Sequence, residues 1–322
     1  SMALESGTYI KDLVSTNPLG TDAISQGDDH VRLIKSVLQN SFPSTNNAPI
    51  IPNISGNGDK YLQVNSSATA TQWVALDVDA LTRRKGELHR SRFEKVASTT
   101  LRIHSGIYDL DSKGKNVSWD SYLDKGLSGT NGWRYIYLDY SAITGTTVTA
   151  SGILESGTAP TYDESKHGWY NGNDRCILCV YVSGGSIFNF YHDGSDHIEY
   201  QDDIGHSAVT STNYVNVTVP PLGSVGNRGT IFGEFTFKLY ADGGDTNSAT
   251  FNVSAGEGSG HLLGTVEGGG TSTTDEHVSG NKRIACYKTN STTMQIYIIK
   301  NGGSAGIRCE PFTNGWYLPV GM

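Results

Sequence analysis

Apolar residues in this chain repeat with two different periods, and the change from one to the other divides it. Near the N-terminus Val31, Ile34 and Leu38 recur at helical spacing, with Leu33, Val37 and Phe42 widening the stripe. Ser25-Gln-Gly-Asp28 reads as a capping-box-like start. Asp28 and Asp29 favour the positive end of a helix dipole, and Pro43 stops the pattern, so a helix is predicted over 28–41. From about residue 98 the period becomes two. Runs at 133–140, 146–154, 175–182, 187–192, 214–219, 231–240, 250–255, 283–288, 294–299 and 316–320 predict strands, separated by turn signals such as Ser183-Gly-Gly-Ser and Asn301-Gly-Gly-Ser. The clearest is 231–240. There Ile231, Gly233, Phe235, Phe237 and Leu239 share one face, while Glu234, Thr236 and Lys238 take the other.

Between these two regimes the pattern is weaker. Residues 44–60 read as a turn-rich connector with Pro49, Pro52, Gly56 and Gly58, and 58–74 as a short hairpin-like module. Val74, Leu81 and Leu88 stand seven apart, which suggests a linker or short neck over 76–96. The Gly/Ser/Thr-rich run Gly256–Ser272 reads as an exposed loop.

Composition agrees with a chain of short strands and many turns: 39 glycines, 17 tyrosines and only 36% hydrophobic residues among 322. Charge is uneven. Residues 1–95 balance ten Lys/Arg against ten Asp/Glu, so the net charge of -8 lies wholly in the remainder. An acidic C-terminal half argues against nucleic-acid binding, which needs clustered cations. No apolar run is long enough for a membrane helix, and Met2–Asp12 lacks the basic start and apolar middle of a secretory signal; synthesis in a cytoplasm is the expectation.

Cys176 and Cys179 form a C-x-x-C within a strand run. Residues three apart on a strand point to opposite faces, so the thiols should diverge, and Cys286 and Cys309 offer no second ligand pair for zinc. Buried structural thiols are expected, with no metal and no cofactor.

Two segments could carry chemistry. In His167-Gly-Trp-Tyr-Asn-Gly-Asn-Asp-Arg175, Trp169 and Tyr170 could stack on sugar rings while Asn171, Asn173, Asp174 and Arg175 pair with hydroxyls or carboxylates. Asn171-Gly172 is also a hairpin-turn signal, so the aromatics could equally flank a turn and pack inward. Trp119, with Tyr122 and Trp133, poses the same choice. The acidic stretch Asp193, Asp196, Glu199, Asp202 and Asp203, with His192 and His197, admits a glycosidase pair or a metal site, or a turn with a solvated strand end. No Gly-x-Ser-x-Gly elbow with a plausible triad order is present, and no sustained repeat announces a parallel β-helix.

The N-terminus adds a resemblance. Met2-Ala-Leu-Glu-Ser-Gly-Thr-Tyr-Ile-Lys-Asp-Leu-Val, Asn17-Pro and Ser25-Gln-Gly-Asp-Asp-His-Val-Arg-Leu-Ile-Lys35 resemble the start of many tailed-bacteriophage tail-fibre proteins. Gly58-Asp-Lys-Tyr-Leu-Gln-Val-Asn65 with Gln72-Trp73 is similar to a short module that follows in such fibres, and Gly315-Trp-Tyr-Leu-Pro-Val-Gly-Met322 to their close. The resemblance implies a homotrimer that attaches to tail or adaptor proteins through its N-terminus and recognises a host surface with its distal part. The resulting expectation is a mainly β protein. An attachment segment (1–45) and a neck (46–97) precede a first β domain (98–213) and a distal β-sandwich-like receptor-binding tip (214–322). It would reside in the virion and bind a cell-surface polysaccharide, without membrane insertion. A tailspike-like glycan depolymerase and a purely structural fibre or baseplate component are the alternatives.

Overall fold

A computed structural model describes residues 6–16, 24–41, 60–64, 67, 71–75, 83–226, 228–241, 247–256, 260–267, 275–304 and 306–322. The connector expected over 44–60, save Lys60, and residues 76–82 of the heptad-like stretch lie outside them. The chain divides into two compact units, 1–78 and 79–322.

The first unit holds the predicted helix, Gly27–Ser41, entered through a 3-10 turn at Ile24–Gln26. Asp28 and Asp29 occupy its first turn, where carboxylates favour the positive end of the dipole. His30 and Val37 are its buried residues, and Ser41 Oγ accepts a 2.7 Å bond from the Ile10 backbone N–H. Val31, Ile34 and Leu38, the apolar stripe of the sequence, are roughly half exposed on the single chain. The hairpin-like module is an antiparallel pair, Lys60–Val64 with Thr71–Ala75.

Among the described residues the second unit is antiparallel β throughout its named strands, in four sheets. Two are three-stranded: Glu87–His89, Gly106–Leu110 and Lys115–Trp119; and Phe93–Lys95, Thr100–Ile103 and Leu123–Gly126. A six-stranded sheet runs Ile153–Ser156, Gly132–Leu138, Asp174–Ser183, Gly168–Asn171, Thr161–Asp163, with Ser186–Ile187 paired to Asp174–Ser183. A nine-stranded sheet runs Phe190–Tyr191, His197–Gly205, Ile307–Tyr317, Arg228–Ala241, Asp275–Lys288, Met294–Asn301, Ser248–Ser254, His261–Glu267, and Asn213–Val217 joins it on Met294–Asn301. One hydrophobic core unites them, in which the indole of Trp133 meets that of Trp316 edge-on at 6.0 Å. The fold is mainly β, as its alternation requires.

Several features depart from the expected layout. Position 213 falls within the large sheet, because His197–Gly205 pairs with Ile307–Tyr317. Glu87–His89 and Phe93–Lys95, in the segment expected to be a neck, are strands. The expected loop 256–272 contains the strand His261–Glu267, and the expected strand 316–320 is instead the end of Ile307–Tyr317 followed by coil. That coil is held down: Trp169 Nε1 donates to Val320 O (3.1 Å), Arg175 Nη2 to Gly321 O (2.7 Å) and Arg90 to Met322 O (3.1 Å), with Met322 itself buried. Cys176 and Cys179 do not diverge. A bulge between Cys176 and Leu178 breaks the alternation, both thiols are buried, and burial followed by the neighbouring Cys176 thiol pushes Cys179 well above the usual thiol range.

Candidate functional site

The alternation in Arg228–Ala241 turns Phe235, Phe237 and Leu239 into the core and leaves Phe232 on the outer face, 37% exposed. Antiparallel register then places Tyr317 opposite Phe232 on one neighbouring strand, and Ala285 opposite it on the other. Arg283, two residues from Ala285, lies with its guanidinium carbon 4.0 Å over the Tyr317 ring and 4.8 Å over the Phe232 ring. On the far side of Tyr317, its register partner His197 stacks at 4.6 Å and 20°. His197 Nε2 lies 3.0 Å from Glu234 Oε2, at an angle poor for a hydrogen bond. Burial, with Glu234 next, raises the Tyr317 phenol pKa.

Phe232, Arg283 and Tyr317 form the floor of a groove of about 760 Å³. The hairpin Thr161–Asp163/Gly168–Asn171 supplies a wall through Tyr162, 38% exposed and edge-on to Trp169 at 5.5 Å and 63°. Glu164 and Asp196 add carboxylates, and Leu318–Val320 close the end. A second groove, of about 830 Å³, shares Thr161 and Gly223 with the first and carries Trp133 and Tyr181, whose rings lie 5.3 Å apart. Its Lys288 ammonium donates to Gly223 O at 2.7 Å, and burial lowers its pKa. Apolar ring faces beside a few carboxylates and a guanidinium suit a ligand with apolar faces and hydroxyl edges, which describes a pyranose.

Of the residues singled out in the sequence, Trp169 and Asp196 line the first groove, His197 stacks on its Tyr317, and Trp133 lines the second; the others lie elsewhere. Trp169 reaches the groove, but it is 2% exposed and its N–H is taken by Val320 O. Tyr170 is buried, and Arg175 is fully so, donating to Asp109 O (3.0 Å), Tyr170 OH (3.1 Å) and Gly321 O. A Cβ on Gly168 would stand 2.7 Å from Arg175 Nη1, so glycine there is what admits the guanidinium. Asp174 Oδ1 accepts from the Tyr140 N–H. Asn171 and Asn173 are exposed around a two-residue turn, Gly172 at φ +62° preceding Asn173, the pattern of a II′ hairpin. Trp119 is buried, stacked on Tyr108 at 5.8 Å and donating to His104 O. The segment 167–175 is therefore a hairpin whose Trp169, Tyr170 and Arg175 pack inward and whose turn, with Asn171 and Asn173, is exposed.

The acidic stretch is also structural at its start. His192 is buried against Phe93; the Phe93 N–H donates to Nδ1 (3.1 Å) and Nε2 bonds Ser195 O (2.9 Å), so both ring nitrogens are occupied. Burial lowers its pKa. Asp193 pairs with the Ser195 hydroxyl and accepts from the Ser195 N–H, and these bonds, the hydroxyl's first, depress its pKa. Among the described residues no group of three or more His, Cys, Asp or Glu is arranged to hold a metal ion. Sequence reading missed Tyr162, Phe232, Arg283 and Tyr317. For Phe232 a signal existed: it is an aromatic on the polar side of an otherwise clean alternation.

No family model matches the chain, and no curated protein matches it. Among solved structures it is similar to a glycoside hydrolase family 43 arabinoxylan arabinofuranohydrolase from Bacillus subtilis, at 11% identity over 87% of this chain and 63% of that one, with a TM-score of 0.16. It is likewise similar to the structure of infectious bursal disease virus Gx strain, at 10% identity over 81% of this chain and 72% of that one, also with a TM-score of 0.16. At such TM-scores neither likeness carries an argument about this chain.

Proposed function

We propose that this chain is a tail-fibre or receptor-binding protein of a tailed bacteriophage, which attaches to the virion through its N-terminal unit and adsorbs to a host by binding a surface glycan in the groove floored by Phe232, Arg283 and Tyr317. The observation that carries the binding part is the outward aromatic row with its flanking carboxylates. The attachment part rests on the resemblance of residues 2–35 to tail-fibre N-termini, and the division at 78/79 is compatible with separate anchoring and binding units. The half-exposed stripe Val31, Ile34 and Leu38 supports a homotrimer, since three copies could bury it along a common axis. Three sites on one axis would then multiply weak contacts through effective concentration.

A glycan array probed with the full chain tests the binding part; binding to at least one bacterial surface polysaccharide is expected, and an array with no bound glycan contradicts it. Deleting residues 2–45 should leave a cell-binding protein that no longer joins virions, and virions that still carry it would refute the attachment role. Glu164 and Asp196 line the same groove, which favours a depolymerase as the second reading. Incubation with bound polysaccharide should release no oligosaccharide if the protein only binds.

A further inference from the structure

The outer face of the large sheet does not end its aromatic character at Phe232. The strand Met294–Asn301 sets Tyr297 opposite Tyr214 and Gln295 opposite Asn216, and Tyr287 faces Gln295 from the other side. The Tyr214 ring lies 4.7 Å from that of Tyr297 and 6.1 Å from that of Tyr287, at angles of 50° and 35°. All three tyrosines are half-buried, as rings lying against a sheet face must be. Between them Gln295 Nε2 donates to Asn216 Oδ1 at 2.8 Å, which leaves the Gln295 carbonyl as an acceptor and the Asn216 amide as a donor. An adjacent acceptor and donor fit neighbouring hydroxyls of a sugar.

Charge sets this cluster apart from the groove. A cleft of about 470 Å³, bounded by residues 205–209 and the strand Asn213–Val217, reaches Tyr214, Asn216 and Gln295, and among the described residues no Asp, Glu, Lys or Arg lines it. Its one titratable ring besides the phenol, His206, is bonded to Thr313 Oγ1 at 2.6 Å and is neutral at pH 7 because burial pushes its pKa down to about 4. The wall is thus hydroxyls, amides and ring faces. Uncharged ligands lose nothing there, whereas a carboxylate or phosphate would be desolvated with no cation to meet it.

We propose that Tyr214, Tyr297, Tyr287 and the Asn216–Gln295 amide pair form a second glycan subsite, selective for uncharged sugar units, on the same sheet face as the groove. The proposal rests on the glycan-binding reading above and extends it to a ligand that is a neutral, extended chain lying across the strands. Three strand steps separate Phe232 from Tyr214, about 14 Å at roughly 4.8 Å per step, so one oligosaccharide can span both.

The test is biolayer interferometry of the full chain against neutral hexasaccharides (cello-, malto- and manno-) and anionic ones (oligogalacturonate and oligosialate). The proteins are wild type, Tyr214→Ala, Asn216→Ala and Phe232→Ala; Asn216 is exposed, so its variant keeps the test valid if Tyr214→Ala misfolds. Binding of a neutral hexasaccharide that Tyr214→Ala and Asn216→Ala each weaken by about tenfold or more is expected, the size of a hot-spot loss. If Phe232→Ala alone abolishes binding, the ligand is confined to the groove and this proposal falls while the groove reading stands. If only the Tyr214 and Asn216 variants lose binding, the second subsite stands and the groove reading falls. Preferential binding of anionic chains that depends on Tyr214 overturns the neutral assignment, and no binding to any member overturns both readings.

Discussion

Arg175, which looks like a sugar contact in sequence, and Phe232, which does not, turn out to have the reverse uses. Arg175 is fully buried and ties Asp109, Tyr170 and Gly321 together, so its replacement by Ala removes the donor to Gly321 O and leaves Asp109 O and Tyr170 OH with only their long bonds from Tyr170 OH (3.4 Å) and the Asp111 N–H (3.3 Å). Arg175→Ala should cost about 3 kcal/mol in urea unfolding, since each buried orphan costs about 1–3 kcal/mol. Phe232 is the reverse, an exposed ring whose loss strands nothing. Phe232→Ala should shift the unfolding midpoint little, within about 0.5 kcal/mol, yet weaken glycan binding by about tenfold or more; an equal loss of both would mean that the ring is structural. At this scale the sequence was a poor guide. Trp169, Tyr170 and Arg175 have the chemistry of a sugar site, but the II′ turn after Asn171 folds them back on the core. Phe232 and Tyr317 are separated by most of a domain in sequence, and only strand register joins them.

Elements were more legible where one period dominated. The helix Gly27–Ser41 and the strand Arg228–Ala241 follow directly from their spacing, and the paired strands Lys60–Val64 and Thr71–Ala75 from their turn-flanked runs. The misses have physical causes. Strands of three residues, such as Glu87–His89 and Thr161–Asp163, are too short to display alternation. The expected loop 256–272 hides His261–Glu267, whose edge position leaves Leu262 63% exposed, so no apolar face announces it. The helix stripe belongs to this scale as well. Val31, Ile34 and Leu38 are exposed at coiled-coil spacing, and a triple replacement by Ser should convert the proposed trimer to a monomer in multi-angle light scattering. A wild-type chain that runs as a monomer removes the trimer altogether.

The molecule as a whole should be acid-sensitive in a defined window. Burial holds the pKa of His206 down to about 4 in the folded chain, against 6.5 for an ordinary imidazole. Between those values the unfolded chain binds a proton that the folded chain refuses, so stability is complete above about pH 6.5 and is lost as pH falls toward about 4. Allowing for its partial exposure, His206 should account for about 2 kcal/mol of lost stability between about pH 7 and pH 4.5. His192, lowered by burial, acts in the same direction. His206→Gln should flatten the profile of urea midpoints against pH; an unchanged slope would exclude His206 as its source. Carboxylates held down by their partners, such as Asp111 beside Arg83 and Asp163 with Ser165, lose their contribution only at lower pH, below their ordinary value of 3.8.

Recognition of a glycan by the outer face of the large sheet is the central claim, and a crystal structure of the full chain with a bound oligosaccharide tests it most directly. Sugar rings lying on Phe232 and Tyr317, with hydroxyls toward Glu164 and Asp196, are the predicted result. A ligand seated instead at the Asn171–Asp174 turn, with the Phe232 and Tyr317 rings uncovered, would contradict it.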